Sequence, residues 1–275
     1  MDSIAVTDQT RMFLIPLIFL VILTILVVVG RTRNPSGSSP GARIFEILLV
    51  TITCLSLGAF VTQSLQTREA VIKEFHRLYH DEEFDQTVLN THWHGVEIKK
   101  CPLDLWIYQE IIQEIKPDVL IETGTWRGGS AYYFASIFDL FGKGRVLTVD
   151  IEKFPVPEHD RISYLIGSST APEIVEQFKN SIQEGETVMV ALDSNHEKEH
   201  VLNELRIYSE LVSVGSYLVV EDTHLNGNPV RIVGDGDPKA AVEEFLKERD
   251  DFVADKSREK FLLTWNRGGW LKRVR

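Results

Sequence analysis

The stretch Val119-Leu-Ile-Glu-Thr-Gly-Thr-Trp-Arg-Gly-Gly-Ser-Ala131 decides how this sequence folds. It begins as an apolar run that stops at the acidic residue Glu122, passes through a glycine-rich turn, and then enters a helical pattern. Apolar runs that end abruptly at carboxylates are typical of buried parallel strands whose carboxyl ends open into a shared crevice. The stretch therefore predicts a strand, a ligand-binding turn and a helix, in that order.

Two later segments repeat the pattern of an apolar run that stops at carboxylates. The first is Val190-Ala-Leu-Asp-Ser-Asn-His196, and the second is Tyr217-Leu-Val-Val-Glu-Asp-Thr-His224. From Pro117 onward, predicted strands and helices alternate, which indicates right-handed crossovers between parallel strands. The predicted strands are 118–122, 145–150, 162–166, 187–192 and 216–221, and the predicted helices are 129–139, 171–181, 197–210 and 238–248. We therefore expect an α/β fold with a doubly wound, mostly parallel, Rossmann-like sheet.

The C-terminal segment predicts a different pairing. Phe261–Trp265 and Trp270–Val274 flank the glycine turn Asn-Arg-Gly-Gly. Two short apolar runs on either side of such a turn are typical of a β-hairpin. We expect this hairpin to close the parallel sheet with antiparallel strands.

The turn after the first strand favours a nucleoside ligand. Glycine lets the chain turn sharply and lets a ligand approach, and the following helix offers free N–H groups. The spacing of Gly124 and Gly128 does not match the dinucleotide pattern G-x-G-x-x-G. An acid before the first glycine is usual for a cationic sulfonium nucleoside. The predicted contacts are Glu122, Gly124, Thr125 and Ser130, and the alternative is a turn with a structural role only.

Two further strand ends complete the predicted nucleoside site. Asp150 ends the second strand, where a carboxylate can accept both ribose hydroxyls, and capping of a helix is the alternative. Ser168 and Ser169 follow the third strand and are predicted to contact the adenine or its ribose. The alternative for Ser169 is a cap on the next helix.

Carboxylates at the ends of two neighbouring strands predict a metal site. Asp193, Glu221 and Asp222 offer oxygen ligands, which suit a hard cation such as Mg²⁺. Hidden carboxylates so close together would repel one another unless they were protonated or bound to a cation. His196 lies three residues after Asp193 and is the predicted general base for a substrate hydroxyl. His224 is the alternative base.

The N-terminal region predicts a membrane anchor. Residues 12–30 and 47–65 are apolar and each is long enough to cross a bilayer as a helix. A cleaved signal peptide is the alternative for the first stretch, but a small-residue cleavage pattern is missing. We expect residues 1–66 to form the anchor with two spans, 67–90 an amphipathic linker helix, and 91–275 the catalytic domain.

Charge and cysteine content exclude other classes of protein. The 275-residue chain has a formal net charge of −11 at pH 7. Nucleic-acid binding needs a concentrated basic face, so a nucleic-acid partner is not expected. The two cysteines, Cys54 and Cys101, indicate neither a disulfide framework nor a zinc site.

Five segments of the chain, taken together, carry a family resemblance. They are Asp104-Leu-Trp-Ile-Tyr-Gln-Glu110, Glu122-Thr-Gly-Thr-Trp-Arg-Gly-Gly-Ser130, Leu192-Asp-Ser-Asn-His196, Gly215-Ser-Tyr-Leu-Val-Val-Glu-Asp-Thr223 and the closing Trp265…Trp270-Leu hairpin. In these segments the chain resembles the family named for cephalosporin hydroxylase and rhamnosyl O-methyltransferase, from about residue 91 to the C-terminus.

The resemblance implies a class I methyltransferase fold that binds S-adenosylmethionine. It also implies that Mg²⁺ is held by Asp193, Glu221 and Asp222, with His196 as the general base. The implied activity is O-methylation of a hydroxyl on a sugar, a glycolipid or a small metabolite. S-Adenosylmethionine is made in the cytosol, so we expect the catalytic domain of the two-span protein on the cytoplasmic side of the membrane.

Two other functions stay open at this point. One is a metal-dependent hydroxylase of the same family, although such iron sites favour two histidines and one carboxylate. The other is a non-catalytic, membrane-tethered binding module. The expected partners are a small-molecule, sugar or lipid-linked hydroxyl substrate and the membrane, and the sequence is also compatible with a homo-oligomer.

Overall fold

The computed structural model describes residues 17–25, 27, 40–80, 87, 90–227 and 236–275. Contacts within the chain divide it into two compact units, Met1–Val71 and Ile72–Arg275. The second unit contains the β-strands and all the residues that the sequence predicts for the site.

The N-terminal region is helical where it is described. Residues 17–25 form helix α1, and helix α2 spans Pro40–His80 over 41 residues. Among the residues that the structure describes, no helix combines the length and the apolar character needed to cross a membrane. The two predicted transmembrane helices are therefore wrong. The second predicted span is the middle of a longer helix, which also carries the charged residues Glu46 and Glu69.

The predictions that were built on those helices change with them. The two-span membrane location is wrong for the same reason, and a membrane partner has no support. Residues 12–16, 26 and 28–30 of the first predicted span lie outside the described residues. The predicted linker helix 67–90 is described as the last part of α2, as far as His80, while residues 81–86 and 88–89 also lie outside.

Strands and helices alternate through most of the second unit. The strands are β1 (His92–Trp93), β2 (Val96–Glu97), β3 (Val119–Thr123), β4 (Arg145–Asp150), β5 (Ile162–Ile166), β6 (Val188–Leu192), β7 (Tyr217–Val220), β8 (Phe252–Ala254) and β9 (Trp270–Arg273). The helices after α2 are α3 (Pro102–Ile115), α4 (Gly129–Phe141), α5 (Pro172–Ser181), α6 (Lys198–Tyr208) and α7 (Pro238–Glu248). The 3₁₀ helix Lys256–Glu259 follows β8.

Seven strands form one sheet in the order β5-β4-β3-β6-β7-β9-β8. The first five are parallel, and β9 pairs antiparallel with both β7 and β8. From β3 the chain adds β4 and β5 on one side and then β6 and β7 on the other, so the strand order reverses beside β3. This arrangement confirms the predicted Rossmann-like, mostly parallel sheet. Ligands bind at such a reversal, outside the carboxyl ends of the strands.

The central strands read as continuous apolar runs because helices cover both of their faces. Successive side chains of β3 point to opposite faces. Ile121 belongs to one buried layer together with Phe178 and Leu205, and Leu120 belongs to the other together with Phe134. Of these central strands, only the ends therefore reach a ligand.

The closing hairpin is present but has a different first strand. The prediction placed that strand at 261–265, whereas the strand that pairs with β9 is β8, Phe252–Ala254. Residues 261–265 form no strand and pack near the active-site edge, where Trp265 N–H donates to Asp104 Oδ2 at 2.8 Å. The apolar pattern of this segment reflects burial of Leu263 and Trp265 in a loop.

Candidate active site

A cavity of about 650 Å³ is lined by the loops after β3, β4, β5, β6 and β7, by residues 98–100 and by His200 of α6. This volume lies within the range of about 300–1,000 Å³ that is usual for small-molecule sites. The predicted site residues that line the cavity are Gly124, Thr125, Ser130, Asp150, Ser168, Ser169, Asp193, His196 and Asp222. Glu122, Glu221 and His224 are not among the lining residues.

The turn after β3 holds three strand ends together. Gly124 has a φ of +86°, and a β-carbon at this position would lie 1.9 Å from the backbone oxygen of Asp193. Trp126 also has a positive φ, 45°, and its N–H donates to Asp150 Oδ2 at 2.7 Å. The loop is therefore fixed against the ends of both β6 and β4, and only glycine fits at position 124.

Glu122 lies beneath this loop. Its Oε2 accepts a hydrogen bond from Thr148 Oγ1 at 2.9 Å, and the Thr148 hydroxyl is 2.7 Å from that of Thr125. Burial raises the pKa of Glu122 to about 7, although Lys100 opposes this shift. Glu122 is buried and does not line the cavity, so its effect on a bound ligand would be electrostatic and would act across the loop.

Asp150 lies at the wall of the cavity and is already oriented by the backbone. Its two oxygens accept the N–H groups of Trp126, at 2.7 Å, and of Glu152, at 3.0 Å. Each carboxylate oxygen has a second lone pair. Asp150 can therefore still accept hydrogen bonds from a bound ligand.

Ser169 belongs to a polar group that sequence reasoning missed. His200 Nε2 lies 3.2 Å from Ser169 Oγ and 3.2 Å from Ser194 Oγ, and His200 lines the cavity. Ser194 Oγ donates to the buried Glu204 at 2.7 Å. A hydrogen bond with Glu204 raises the pKa of His200 above its usual value. The i, i+4 spacing of His200 and Glu204 was the available signal, but nothing in the sequence placed this pair beside Ser169.

Asp193, His196 and Asp222 form the group that can hold a metal. One ligand atom from each lies within 4.8 Å of the other two. His196 Nε2 is 3.4 Å from Asp193 Oδ1 and 3.3 Å from Asp222 Oδ2. The structure therefore brings together two of the three predicted metal ligands and the predicted base.

Burial and neighbouring charges shift the pKa values of Asp193, His196 and Asp222. Burial opposes a charged imidazole, but Asp193 and Asp222 raise the pKa of His196 to about 9. Burial raises the pKa of Asp222 to about 7, with His196 acting against the shift. Burial also disfavours ionised Asp193, but Lys100 and His196 hold its pKa below the usual value.

Glu221, the third predicted metal ligand, lies behind the other two carboxylates. Its Oε1 accepts a hydrogen bond from the hydroxyl of Tyr108 and lies 3.1 Å from Lys100 Nζ. Lys100 Nζ also donates to Asp193 Oδ2 at 2.5 Å. Burial raises the pKa of Glu221. Sequence reasoning missed both Lys100 and Tyr108, because neither stands near the acids along the chain.

His224 is placed away from the cavity. It is buried, its Nδ1 is 3.2 Å from the backbone oxygen of Trp265, and its ring stacks on the rings of Trp265 and His76. The geometry therefore favours His196 over His224 as a base that can reach a substrate.

Comparison with known proteins gives the same family as the sequence motifs. Residues 85–274 match the rhamnosyl O-methyltransferase/CmcI family. The chain belongs to this family. The match covers the sheet and all the predicted site residues, and it confirms both the resemblance and the prediction of an O-methyltransferase.

Individual members of the rhamnosyl O-methyltransferase/CmcI family agree over most of their length. The rhamnosyl O-methyltransferase of Mycobacterium leprae (strain TN) is 36% identical over 213 residues, which are 74% of this chain and 91% of that protein. The rhamnosyl O-methyltransferase of Mycobacterium tuberculosis (strain ATCC 25618 / H37Rv) is 36% identical over 209 residues, which are 74% of this chain and 82% of that protein.

Solved structures of CmcI share the fold. A CmcI structure with Mg and SAM has 18% sequence identity and a TM-score of 0.54, and the alignment covers 68% of this chain and 78% of that one. A CmcI apo-structure has 19% identity and a TM-score of 0.53, with 68% and 77% covered. Mg²⁺ and S-adenosylmethionine, the two cofactors predicted from the sequence, are thus both found in a structure of this family.

Proposed function

We propose that this protein transfers a methyl group from S-adenosylmethionine to a hydroxyl of a sugar, with rhamnosyl glycosides as the acceptor class, and that it uses Mg²⁺. One observation carries the proposal. Asp193, His196 and Asp222 line the same cavity as Asp150 and Ser169, so an acid–base group and a nucleoside-binding wall share one space. The acceptor class rests on the relatives, which are rhamnosyl O-methyltransferases.

The cavity wall suits S-adenosylmethionine. Asp150 has free lone pairs for ribose hydroxyls, and Ser168 and Ser169 offer hydroxyl groups to the base or the ribose. Ile151 and Phe154 add apolar surface for the adenine ring. The loop residues Gly124, Thr125 and Ser130 would lie against the amino-acid part, with the charge of Glu122 behind them.

The acid–base group suits Mg²⁺. Asp193 and Asp222 supply two carboxylate oxygens, the ligand type that Mg²⁺ prefers. Their closeness to one another in a partly buried site also favours a bound cation, which would relieve their repulsion. We propose Asp193 and Asp222 as ligands, and Glu221 stays the predicted third carboxylate.

Methyl transfer needs an activated hydroxyl, a base and a fixed geometry. Mg²⁺ held by Asp193 and Asp222 would supply Lewis-acid chemistry, which lowers the pKa of a hydroxyl. Asp193 and Asp222 raise the pKa of His196 to about 9, so without a cation the imidazole is charged. A cation on these two carboxylates would offset their charge and lower the pKa of His196, which could then take the proton of that hydroxyl. The acceptor oxygen forms a bond to the methyl carbon as the carbon–sulfur bond breaks, and the sulfonium becomes a neutral thioether. The buried strand ends hold the reacting groups in place.

The rival functions have less support. An iron-dependent hydroxylase would favour two histidines and one carboxylate at the metal, whereas the group here has one histidine and two carboxylates. A binding module without chemistry needs no histidine held between two buried acids.

Binding of S-adenosylmethionine is the first test. Calorimetry on the full-length protein should show binding that Asp150→Ala weakens by about 1–3 kcal/mol, the usual cost of losing a charged hydrogen-bond partner. Asp160→Ala removes an exposed carboxylate and serves as the matched control. An intact protein that binds no S-adenosylmethionine would contradict the proposed methyltransferase.

Transfer of the methyl group is the second test. Protein, methyl-labelled S-adenosylmethionine and Mg²⁺ are incubated with a rhamnosyl glycoside and, separately, with a glucosyl glycoside. We expect label on the rhamnosyl compound and loss of transfer when EDTA is added. Label on the glucosyl compound alone would contradict the acceptor class, and full activity in EDTA would contradict the role of Mg²⁺.

A further inference from the structure

Lys100 is the one lysine or arginine that is fully buried within the described part of the chain, with 2% of its side chain exposed. A lysine is almost never fully buried unless it is paired. Its neighbour Lys99 is exposed and lies with its Nζ 3.9 Å from the ring centroid of Trp126. Lys100 is therefore buried against acids, whereas Lys99 is exposed and lies over the Trp126 ring.

The local chain explains why Lys100 points inward. Residues 98–101 are an extended connection between β2 and α3, and side chains of an extended chain alternate in direction. Ile98 is buried, Lys99 is exposed and Lys100 is buried again. Pro102 then starts α3, which fixes the end of the connection. The Lys100 ammonium is thereby brought under the ends of β6 and β7.

Lys100 joins two acids from different strands. Its Nζ donates to Asp193 Oδ2 at 2.5 Å and lies 3.1 Å from Glu221 Oε1. The other oxygen of Asp193, Oδ1, faces His196 at 3.4 Å and lines the metal-binding group. Lys100 thus holds one oxygen of Asp193 and leaves the other directed at the cavity side.

The charges show what this contact does. Lys100 contacts the carboxylates of Asp193 and Glu221, and Asp222 lies near Asp193 in the metal-binding group. A buried ion pair that loses one partner is strongly destabilised, because the other charge is left uncompensated. A divalent cation held by Asp193 and Asp222 would therefore share Asp193 with the Lys100 ammonium.

We propose that Lys100 is a positioning residue and the resident counterion of the cation site, which it preforms in the absence of metal and whose affinity for divalent cations it limits. This inference rests on the proposed function, because it concerns the Mg²⁺ of that reaction. Lys100 keeps Asp193 oriented when no metal is present, and its charge repels an incoming divalent ion. The bound ion is then exchangeable and is not needed for folding.

The test compares Lys100→Met with Lys100→Arg in the full-length protein without S-adenosylmethionine. Methionine keeps much of the side-chain volume and removes the charge, and arginine keeps the charge. Lys179→Met is the control, since it removes one charge from an exposed position at the end of α5, and Lys179 is not a lining residue of the cavity. Affinity for Mg²⁺ is measured by calorimetry, affinity for Mn²⁺ by electron paramagnetic resonance, and thermal unfolding is followed with and without Mg²⁺.

We expect Lys100→Met to bind both cations at least about tenfold more tightly than wild type, because a like charge beside the ion has been removed. Its unfolding temperature should be lower than that of wild type without Mg²⁺ and should rise more when Mg²⁺ is added, as tighter binding requires. Lys100→Arg keeps the buried charge, and Lys179→Met removes a charge that solvent screens, so both should stay within about threefold of the wild-type affinity.

Two results would overturn the inference. One is a folded Lys100→Met protein with unchanged or weaker cation affinity. The other is a Lys100→Met protein that does not fold even with millimolar Mg²⁺. In that case Mg²⁺ does not replace the Lys100 ammonium, and the role of Lys100 is in packing. Wild-type protein that binds no divalent cation would instead contradict the Mg²⁺ of the proposed function, so the two failures are distinguishable.

Discussion

Gly124 and Asp193 are packed backbone to backbone, so closely that a β-carbon on Gly124 would meet the Asp193 carbonyl oxygen at 1.9 Å. Gly124 belongs to the loop that lines the proposed nucleoside site, and Asp193 carries a carboxylate of the metal-binding group. The glycine-rich turn therefore has a second role besides approach to a ligand. It sets the distance between the two halves of the active site.

Gly124→Ala should weaken both S-adenosylmethionine and Mg²⁺ binding, because the new methyl group must push the end of β6 away from β3. It should also lower the free energy of unfolding by more than about 1 kcal/mol, the scale of strain for a non-glycine residue at positive φ. Gly185→Ala is the matched control: Gly185 has the same φ, +86°, and nothing within 4 Å of its β-carbon position. Two calorimetric titrations and urea unfolding of each variant measure these effects.

The comparison with Gly185 separates the backbone strain of a positive φ from the steric clash with the Asp193 backbone. Equal loss of stability and of binding in both variants would mean that backbone strain alone matters at Gly124. Binding losses confined to Gly124→Ala would confirm that the contact with Asp193 positions the metal group.

His196→Ala should lower turnover by about 10²–10⁴-fold, the usual contribution of a general base. S-Adenosylmethionine binding should change little, since Asp150 and Ser169 remain in place. His92→Ala, which removes an exposed histidine, is the control and should keep wild-type turnover. Steady-state kinetics at saturating Mg²⁺ provide the measurement. Near-normal turnover of His196→Ala would assign proton removal to another group.

His200→Ala should weaken S-adenosylmethionine binding by about fivefold, which corresponds to about 1 kcal/mol for one hydrogen bond. His200 lines the cavity and holds the Ser169 hydroxyl at 3.2 Å, so its removal frees a group proposed to contact the ligand. Cation affinity should stay at the wild-type value, because His200 is not in the metal-binding group. His159→Ala, at a histidine paired with Asp139, is the control. A change in Mg²⁺ affinity without a change in S-adenosylmethionine affinity would contradict this assignment.

Periodic apolar runs carried most of the fold prediction. The strands 145–150 and 162–166 and the helix 238–248 have the predicted bounds. Burial on both faces gives β4 a plain apolar run, whereas α7 buries one side only, at Ala241, Val242 and Phe245. The hairpin prediction failed at 261–265, where the same signal comes from a buried loop. The membrane prediction failed because it rested on apolar composition alone: residues 47–65 belong to α2, and no described helix is long and apolar enough to cross a membrane.

The predicted residues that line the cavity lie at strand ends or just after them. Strand ends meet at one edge of a parallel sheet, so Asp150, Asp193 and Asp222 were found from their position alone. Lys100 lies on the connection between β2 and α3, and His200 lies on α6. Their spacing along the chain does not indicate that they reach this edge of the sheet. Their contacts depend on the tertiary path of the chain, which a single sequence does not reveal.

The raised pKa of Asp104 predicts that the free energy of unfolding depends on pH. Burial raises its pKa from the ordinary value of 3.8 to about 8, and its Oδ2 accepts the Trp265 N–H at 2.8 Å. The folded protein therefore keeps a proton on Asp104 that the unfolded chain releases above pH 3.8. A pKa that is raised on folding stabilises the protein below the unfolded value, and that stabilisation is lost as pH rises through the folded value.

Asp104→Asn should remove this loss, because asparagine keeps a carbonyl oxygen for Trp265 N–H and does not ionise. Between pH 5 and pH 8.5, the free energy of unfolding should fall less in Asp104→Asn than in wild type. The comparison is one of slopes, since the buried amide N–H groups add a constant cost at every pH. Asp160→Asn, at an exposed aspartate, should keep the wild-type slope. Urea unfolding at four pH values measures the slopes, and parallel curves for Asp104→Asn and wild type would show that Asp104 is already ionised in the folded protein at pH 5.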